Sequence, residues 1–146
     1  MKSLSKYILT LSFIGLAFAS SAQICGTTAE LCEKHLAEDG FITDGQSYRV
    51  VLQGNQTTEF YTTLYPGTTY RVSAYGNESE GNLIYSLLDQ EGNVLFSNGE
   101  YSNASYWDFR VDSKIDVSIK SQLDLTRVSS GCAVIILGFK EGALSN

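Results

Sequence analysis

From Phe41 onward, apolar and polar residues alternate with a period of two. Tyr48, Val50 and Leu52 alternate with Arg49 and Gln53, and Phe60, Thr62 and Leu64 with Glu59, Tyr61 and Thr63. Tyr70, Val72 and Ala74 alternate with Arg71, Ser73 and Tyr75. Leu83–Leu88 is apolar on both faces, and Val94-Leu95-Phe96 follows it. Trp107, Phe109 and Val111 then alternate with Tyr106, Asp108 and Arg110, and Ile115, Val117 and Ile119 with Asp116, Ser118 and Lys120. Ala133–Phe139 (AVIILGF) is continuously apolar, which predicts a central strand buried on both faces. About eight short strands separated by Gly/Asn/Asp/Ser-rich turns predict a mainly β protein, a jelly-roll-like antiparallel β-sandwich.

One segment keeps a helical period. Ala29–Glu38 places Leu31, Cys32, His35 and Leu36 on one face, Thr27 or Thr28 can cap it, and Asp39-Gly40 ends it. A single short N-terminal helix near 28–38 is therefore expected, lying on a sheet through Leu31 and Leu36. Two hairpins are expected. In Leu88–Val94, Gly92 takes the left-handed position of the loop. In the other, Asp112-Ser113-Lys114 sets Val111 opposite Ile115 and Arg110 opposite Asp116. Pro66-Gly67 forms a turn between two strands.

The first 22 residues do not belong to this pattern. Lys2 and Lys6 precede the apolar Tyr7–Ala19, and Ser20-Ser21-Ala22 supplies small residues for cleavage after Ala22. Residues 1–22 are read as a bacterial-looking signal peptide, too short in its apolar part for a stable membrane span. Residues 23–146 are read as a single exported domain, in the periplasm, secreted or at the cell surface. Without Lys2 and Lys6 the balance is 8 basic against 16 acidic residues, a formal charge of −8. That charge argues against nucleic acid, which needs clustered Lys and Arg. Three sequons, at Asn55, Asn77 and Asn103, fall in expected loops.

The motifs of the middle of the chain carry a resemblance. Leu64-Tyr65-Pro66-Gly67-Thr68-Thr69-Tyr70, then Leu83–Asp89 (LIYSLLD), then Gly92-Asn93-Val94-Leu95, resembles the bacterial pre-peptidase C-terminal family over about Thr57 to Ser121. The resemblance implies a jelly-roll-like sandwich of the kind appended to secreted peptidases and other exported enzymes. The chain departs from the pattern at Ser113-Lys114-Ile115, where the family has a "G-x-Y" strand entry. No enzyme domain accompanies the module in this sequence. A stand-alone exported bacterial protein of this architecture is an equal reading.

The candidate chemistry is sparse. Cys25, Cys32 and Cys132 allow at most one intramolecular disulfide. Two helical turns would hold Cys25 about 10 Å from Cys32, so a bridge to Cys132 from one of them is favoured. With the only histidine, His35, the cysteines would also make a zinc set, but the spacing matches no short zinc motif. Asp89, Glu91 and Asn93 surround Gly92 as in a calcium loop, yet the hairpin already explains that glycine. No cofactor and no metal are expected. Cys32 and His35, three apart on the helix, are the one pair that could serve a nucleophilic enzyme; no Gly-x-Ser-x-Gly elbow occurs.

Nine tyrosines and one tryptophan remain. By the alternation Tyr48, Tyr70, Trp107 and Phe109 point inward. Tyr61, Tyr65, Tyr75 and Tyr106 point outward, with Arg71 between them and Tyr101 in a loop. These six, Tyr61, Tyr65, Arg71, Tyr75, Tyr101 and Tyr106, are the candidate binding residues. The function expected is a non-catalytic exported binding or interaction module for a protein or glycan partner. The alternatives are a small exported enzyme using Cys32 and His35, or a self-assembling surface protein.

Overall fold

A computed structural model of the chain describes residues 19–43, 45 and 47–141. The expected leader lies outside the described residues up to residue 18. Helix α1 (Ala19–Glu38) is followed by β1 (Ile42–Thr43), β2 (Tyr48–Gln53), β3 (Thr57–Leu64), β4 (Thr68–Gly76), β5 (Leu83–Leu88) and β6 (Val94–Ser97). A 3-10 helix (Asn98–Tyr101), β7 (Tyr106–Phe109), β8 (Ile115–Leu123) and β9 (Ser130–Glu141) complete the order. Every strand expected from the alternation is present, with β1 in addition.

The strands form two antiparallel sheets, so the fold is a mainly β sandwich. In the first sheet β9 pairs with β4, which pairs with β7, while β1 and β2 pair with successive parts of the other edge of β9. The second sheet runs β3-β8-β5-β6. From β2 to β9 the chain changes sheet at nearly every step, and only β5 and β6 are paired sequence neighbours. Inward side chains of both sheets, among them Leu52, Phe60, Tyr70, Val72, Leu87 and Ile119, make the main core.

This topology corrects one hairpin and keeps the other. Gly92 has φ +83° at the tip of β5–β6, where Leu88 pairs with Val94. The Asp89 carboxylate accepts hydrogen bonds from the Asn93 and Glu91 backbone N–H groups at 2.8 and 2.9 Å, so it serves the turn itself. β7 and β8, by contrast, are not paired. Trp107 lies opposite Val72 of β4, and Arg110 donates to Thr69 Oγ1 at 2.8 Å rather than meeting Asp116. The link from Phe109 to Ile115 crosses from one sheet to the other. An arch and a hairpin both keep Phe109 and Val117 facing the core, so alternation alone does not separate them.

The helix is also corrected, since its described span is Ala19–Glu38 and Thr27 and Thr28 lie inside it rather than at its N-terminus. Gly26 is a poor helix former, worth about 1 kcal/mol against alanine. Tertiary contacts override it, because Cys25 is disulfide-bonded to Cys132 on β9 and Thr28, Ala29, Cys32 and Leu36 are buried. Ala29, Cys32, Leu36 and Phe41 pack on Tyr75, Cys132, Val134 and Ile136, forming a second core on the outer face of the first sheet. β9 is thus buried on both faces, as its continuous apolar run predicts. A Cβ on Gly138 would sit 2.6 Å from Leu36 Cδ2 and 3.1 Å from Phe41 Cβ, so any larger residue makes Leu36 and Phe41 shift.

Two of the three sequon asparagines are structural. Asn77 Nδ2 donates to the Ser130 carbonyl at 2.9 Å, and Asn103 Nδ2 donates to Gly81 O and Asp124 Oδ2. Both adopt positive φ.

Candidate functional site

The six candidate binding residues do not share one face. Arg71 and Tyr75 are not on the surface at all, being 6% and 3% exposed. Their side of β4 is the one that α1 covers. Arg71 is held by two carboxylates. It reaches Asp108 through Nε (2.6 Å) and Nη2 (3.0 Å), and Asp39, just beyond the helix, through Nη1. Its guanidinium also lies 4.3 Å from the ring centroids of Phe41 and of Tyr106. These bonds to the charged form, Asp108 first, push its pKa up further, while Arg71 holds the Asp39 carboxyl below its usual value.

Tyr75 is buried against the helix, and burial pushes its hydroxyl up to about 12. The hydroxyl donates to Glu80 at 3.3 Å, and Glu80 also lies 3.7 Å from His35 Nε2. The His35 ring rests 5.6 Å from Tyr75 and 5.9 Å from Tyr106. Cys32 looks the other way: it is 0% exposed, its thiol donates to the Val134 carbonyl at 3.8 Å, and burial pushes it up to about 12. A nucleophilic cysteine needs a lowered pKa and access, and this thiol has neither. It is the free cysteine, and the Cys25–Cys132 disulfide takes the other two.

Tyr101 is half-exposed, stacks on Phe96 at 5.5 Å and lies tilted against Trp107 at 4.4 Å, over residues that pack on the main core. Tyr65 follows β3, with the Lys114 ammonium 5.9 Å from its ring. Tyr106, 41% exposed beside Arg71, lines a shallow hollow with Glu80 and Trp107, and Tyr61 is 75% exposed on the outer face of the second sheet.

Tyr61 forms one wall of an open groove of about 530 Å³. The register explains the groove. Tyr61 of β3 lies opposite Ser118 of β8, Ser118 opposite Leu88 of β5, and Leu88 opposite Val94 of β6. A small serine between two large side chains makes a floor between two walls. One end is closed by Asp116, which accepts from Thr63 Oγ1 at 2.6 Å and from Gln90 Nε2 at 2.9 Å. Glu59, Asp89 and Asp116 border the groove, and no Lys or Arg is among its lining residues. The alternation marks Tyr61 and Asp116 as outward. Ser118 and Leu88 are missed, because their role depends on the order β3-β8-β5-β6.

No family model matches the chain, and no curated protein matches it. Among solved structures it is similar to PliG from Aeromonas hydrophila, a periplasmic lysozyme inhibitor of g-type lysozyme, with a TM-score of 0.52 and 10% identity. That match covers 70% of this chain and 90% of PliG. A de novo designed double-stranded β-helix matches over 65% of this chain and 99% of its own length, at 12% identity and a TM-score of 0.35. The likeness to PliG is one of fold. Among the described residues no helix is long and apolar enough to cross a membrane, and no three His, Cys, Asp or Glu side chains gather as metal ligands.

Proposed function

We propose that this chain is a non-catalytic, exported protein-binding module, and that the open face of the second sheet, centred on Tyr61, is where its partner docks. One observation carries the reading. The helix covers the outer face of the first sheet, whereas the outer face of the second carries an exposed tyrosine beside a groove with an apolar wall and a polar rim. Exposed aromatics beside a pocket are the usual anchors of protein interfaces. The acidic border suits a partner with a basic surface.

A protein partner is favoured over a glycan because the tyrosines are dispersed rather than gathered into a stacking platform. PliG, a protein that inhibits a protein, supports the same class. The disulfide and the leader-like start support export.

A g-type lysozyme is the first probe. The expected result is saturable binding that weakens with salt and falls at least about tenfold in Tyr61→Ala. Equal binding by wild type and Tyr61→Ala would remove this face from the function. Hydrolase or transferase activity abolished by Cys32→Ala or His35→Ala would replace the reading with an enzyme.

A further inference from the structure

Ser121 lies in β8 on the inward side of the strand, in step with Ile119 and Leu123. It is 1% exposed, and its hydroxyl has no hydrogen-bond partner among the described residues. Buried hydroxyls are nearly always paired, because an unpaired one has lost its water without replacement. Beside this hydroxyl the core is not solid. A cleft of about 110 Å³ opens between the sheets, lined by Tyr48, Val50, Phe60, Ala133 and Ile135 together with Ser121, and the exposed Arg49 and Glu59 and the half-buried Thr58 complete its lining. Its origin is topological. β2 and β3 are neighbours in sequence and lie at edges of different sheets, and they are not paired to each other. The sandwich is left open along that side, and the small side chains of Ala133 and Ser121 do not fill the gap.

We propose that this cleft is a binding site for a small amphiphile, a compact hydrocarbon body carrying one hydroxyl or carbonyl oxygen that pairs with Ser121 Oγ. An apolar cavity of about 150 Å³ takes benzene, so this cleft takes a ligand of about five non-hydrogen atoms. The stacked rings of Tyr48 and Phe60, 3.5 Å apart, supply a flat apolar wall. Ser121, 1% exposed, carries the buried unpaired hydroxyl, so the oxygen of the ligand pairs there and its hydrocarbon body lies against the rings. The site is separate from the Tyr61 groove and does not depend on the protein-binding reading.

Isobutanol is the probe, followed by amide nitrogen–proton correlation spectra of the purified chain. The expected result is a saturable shift confined to the amides around Phe60, Ser121 and Ile135. Ser121→Ala should weaken isobutanol by about fivefold. Xenon, which needs only the apolar walls, should bind the variant as it binds the wild type. Ala133→Leu, which fills the cleft, should abolish both, with its thermal midpoint reporting whether it folds. The absence of a saturable shift, equal isobutanol affinity in Ser121→Ala, or ordered water that isobutanol does not displace would each overturn the proposal.

Discussion

The two outer faces of this sandwich obey different rules. On the first sheet Cys132, Val134, Ile136 and Tyr75 point away from the main core, yet all are buried, because α1 lies over them. On the second sheet Glu59, Tyr61, Asp116 and Lys120 point away from the core and meet solvent. The covered face is fastened at both ends of the helix, by the Cys25–Cys132 disulfide near one and by Arg71 with Asp39 beyond the other. The open face has no such fastening. Changes on the covered side are therefore expected to cost more stability than changes on the open side.

Removing a fastening should be the most damaging change. Cys25→Ser opens a loop of 107 residues and is expected to cost about 2–5 kcal/mol in urea unfolding. Thiol titration sharpens the point: the native protein should show no reactive thiol, and the denatured, unreduced protein one, from Cys32. Gly138→Ala pushes a methyl group into Leu36 and should cost about 1–3 kcal/mol. Arg71→Met should cost a similar amount, about 1.5–3 kcal/mol, discounted because its carboxylate partners are half-exposed.

The covered face also predicts a response to pH at both extremes. Asp39 has its pKa lowered by Arg71, so its contribution is present above the ordinary carboxylate range and is lost as pH falls through the lowered value. Asp39→Asn should flatten the acid limb of stability below about pH 4. Cys32 binds its proton more tightly when folded. Its contribution is complete below the ordinary value of 9.0 and is lost as pH rises towards about 12. Cys32→Ala should therefore make the alkaline decline over that interval shallower. The smallest effect belongs to the open face. Tyr61→Ser should change stability by less than about 0.5 kcal/mol while weakening partner binding. A Tyr61→Ser variant that unfolds like Arg71→Met would break the distinction between the faces.

The strands were legible because each has one face towards the main core, and the alternation reports that face directly. The roof was half legible. An apolar run on both faces of β9 states that something covers its outer side, and the helical period names Leu31 and Leu36 as the cover; Leu36 is buried there and Leu31 packs at its edge. What escaped was the consequence for the neighbouring strand: residues of β4 that share the covered side are buried with it. Arg71 and Tyr75 therefore read as outward candidates for binding, although their partners Asp39, Phe41, Asp108 and Glu80 hold them inside. Sheet membership escaped for a related reason. The arch between β7 and β8 preserves the inward set that a hairpin would give, so the expected pair of Arg110 with Asp116 looked consistent while the strands lay in different sheets. The groove followed the same fate, since Ser118 and Leu88 flank each other only once the strand order is known.

The disulfide has a consequence for the order of events in biosynthesis. It joins the beginning of the described chain to its last strand, so it closes only after residue 132 has been made and has met an oxidant. Until then Cys25 has only Cys32 as a nearby partner. A transient bond between them would have to be exchanged before the helix could settle. An oxidase supplies the one two-electron oxidation that either bond needs, and an isomerase speeds the redox-neutral exchange in which the Cys132 thiolate displaces Cys32; without the isomerase the chain should linger with Cys132 as the free thiol.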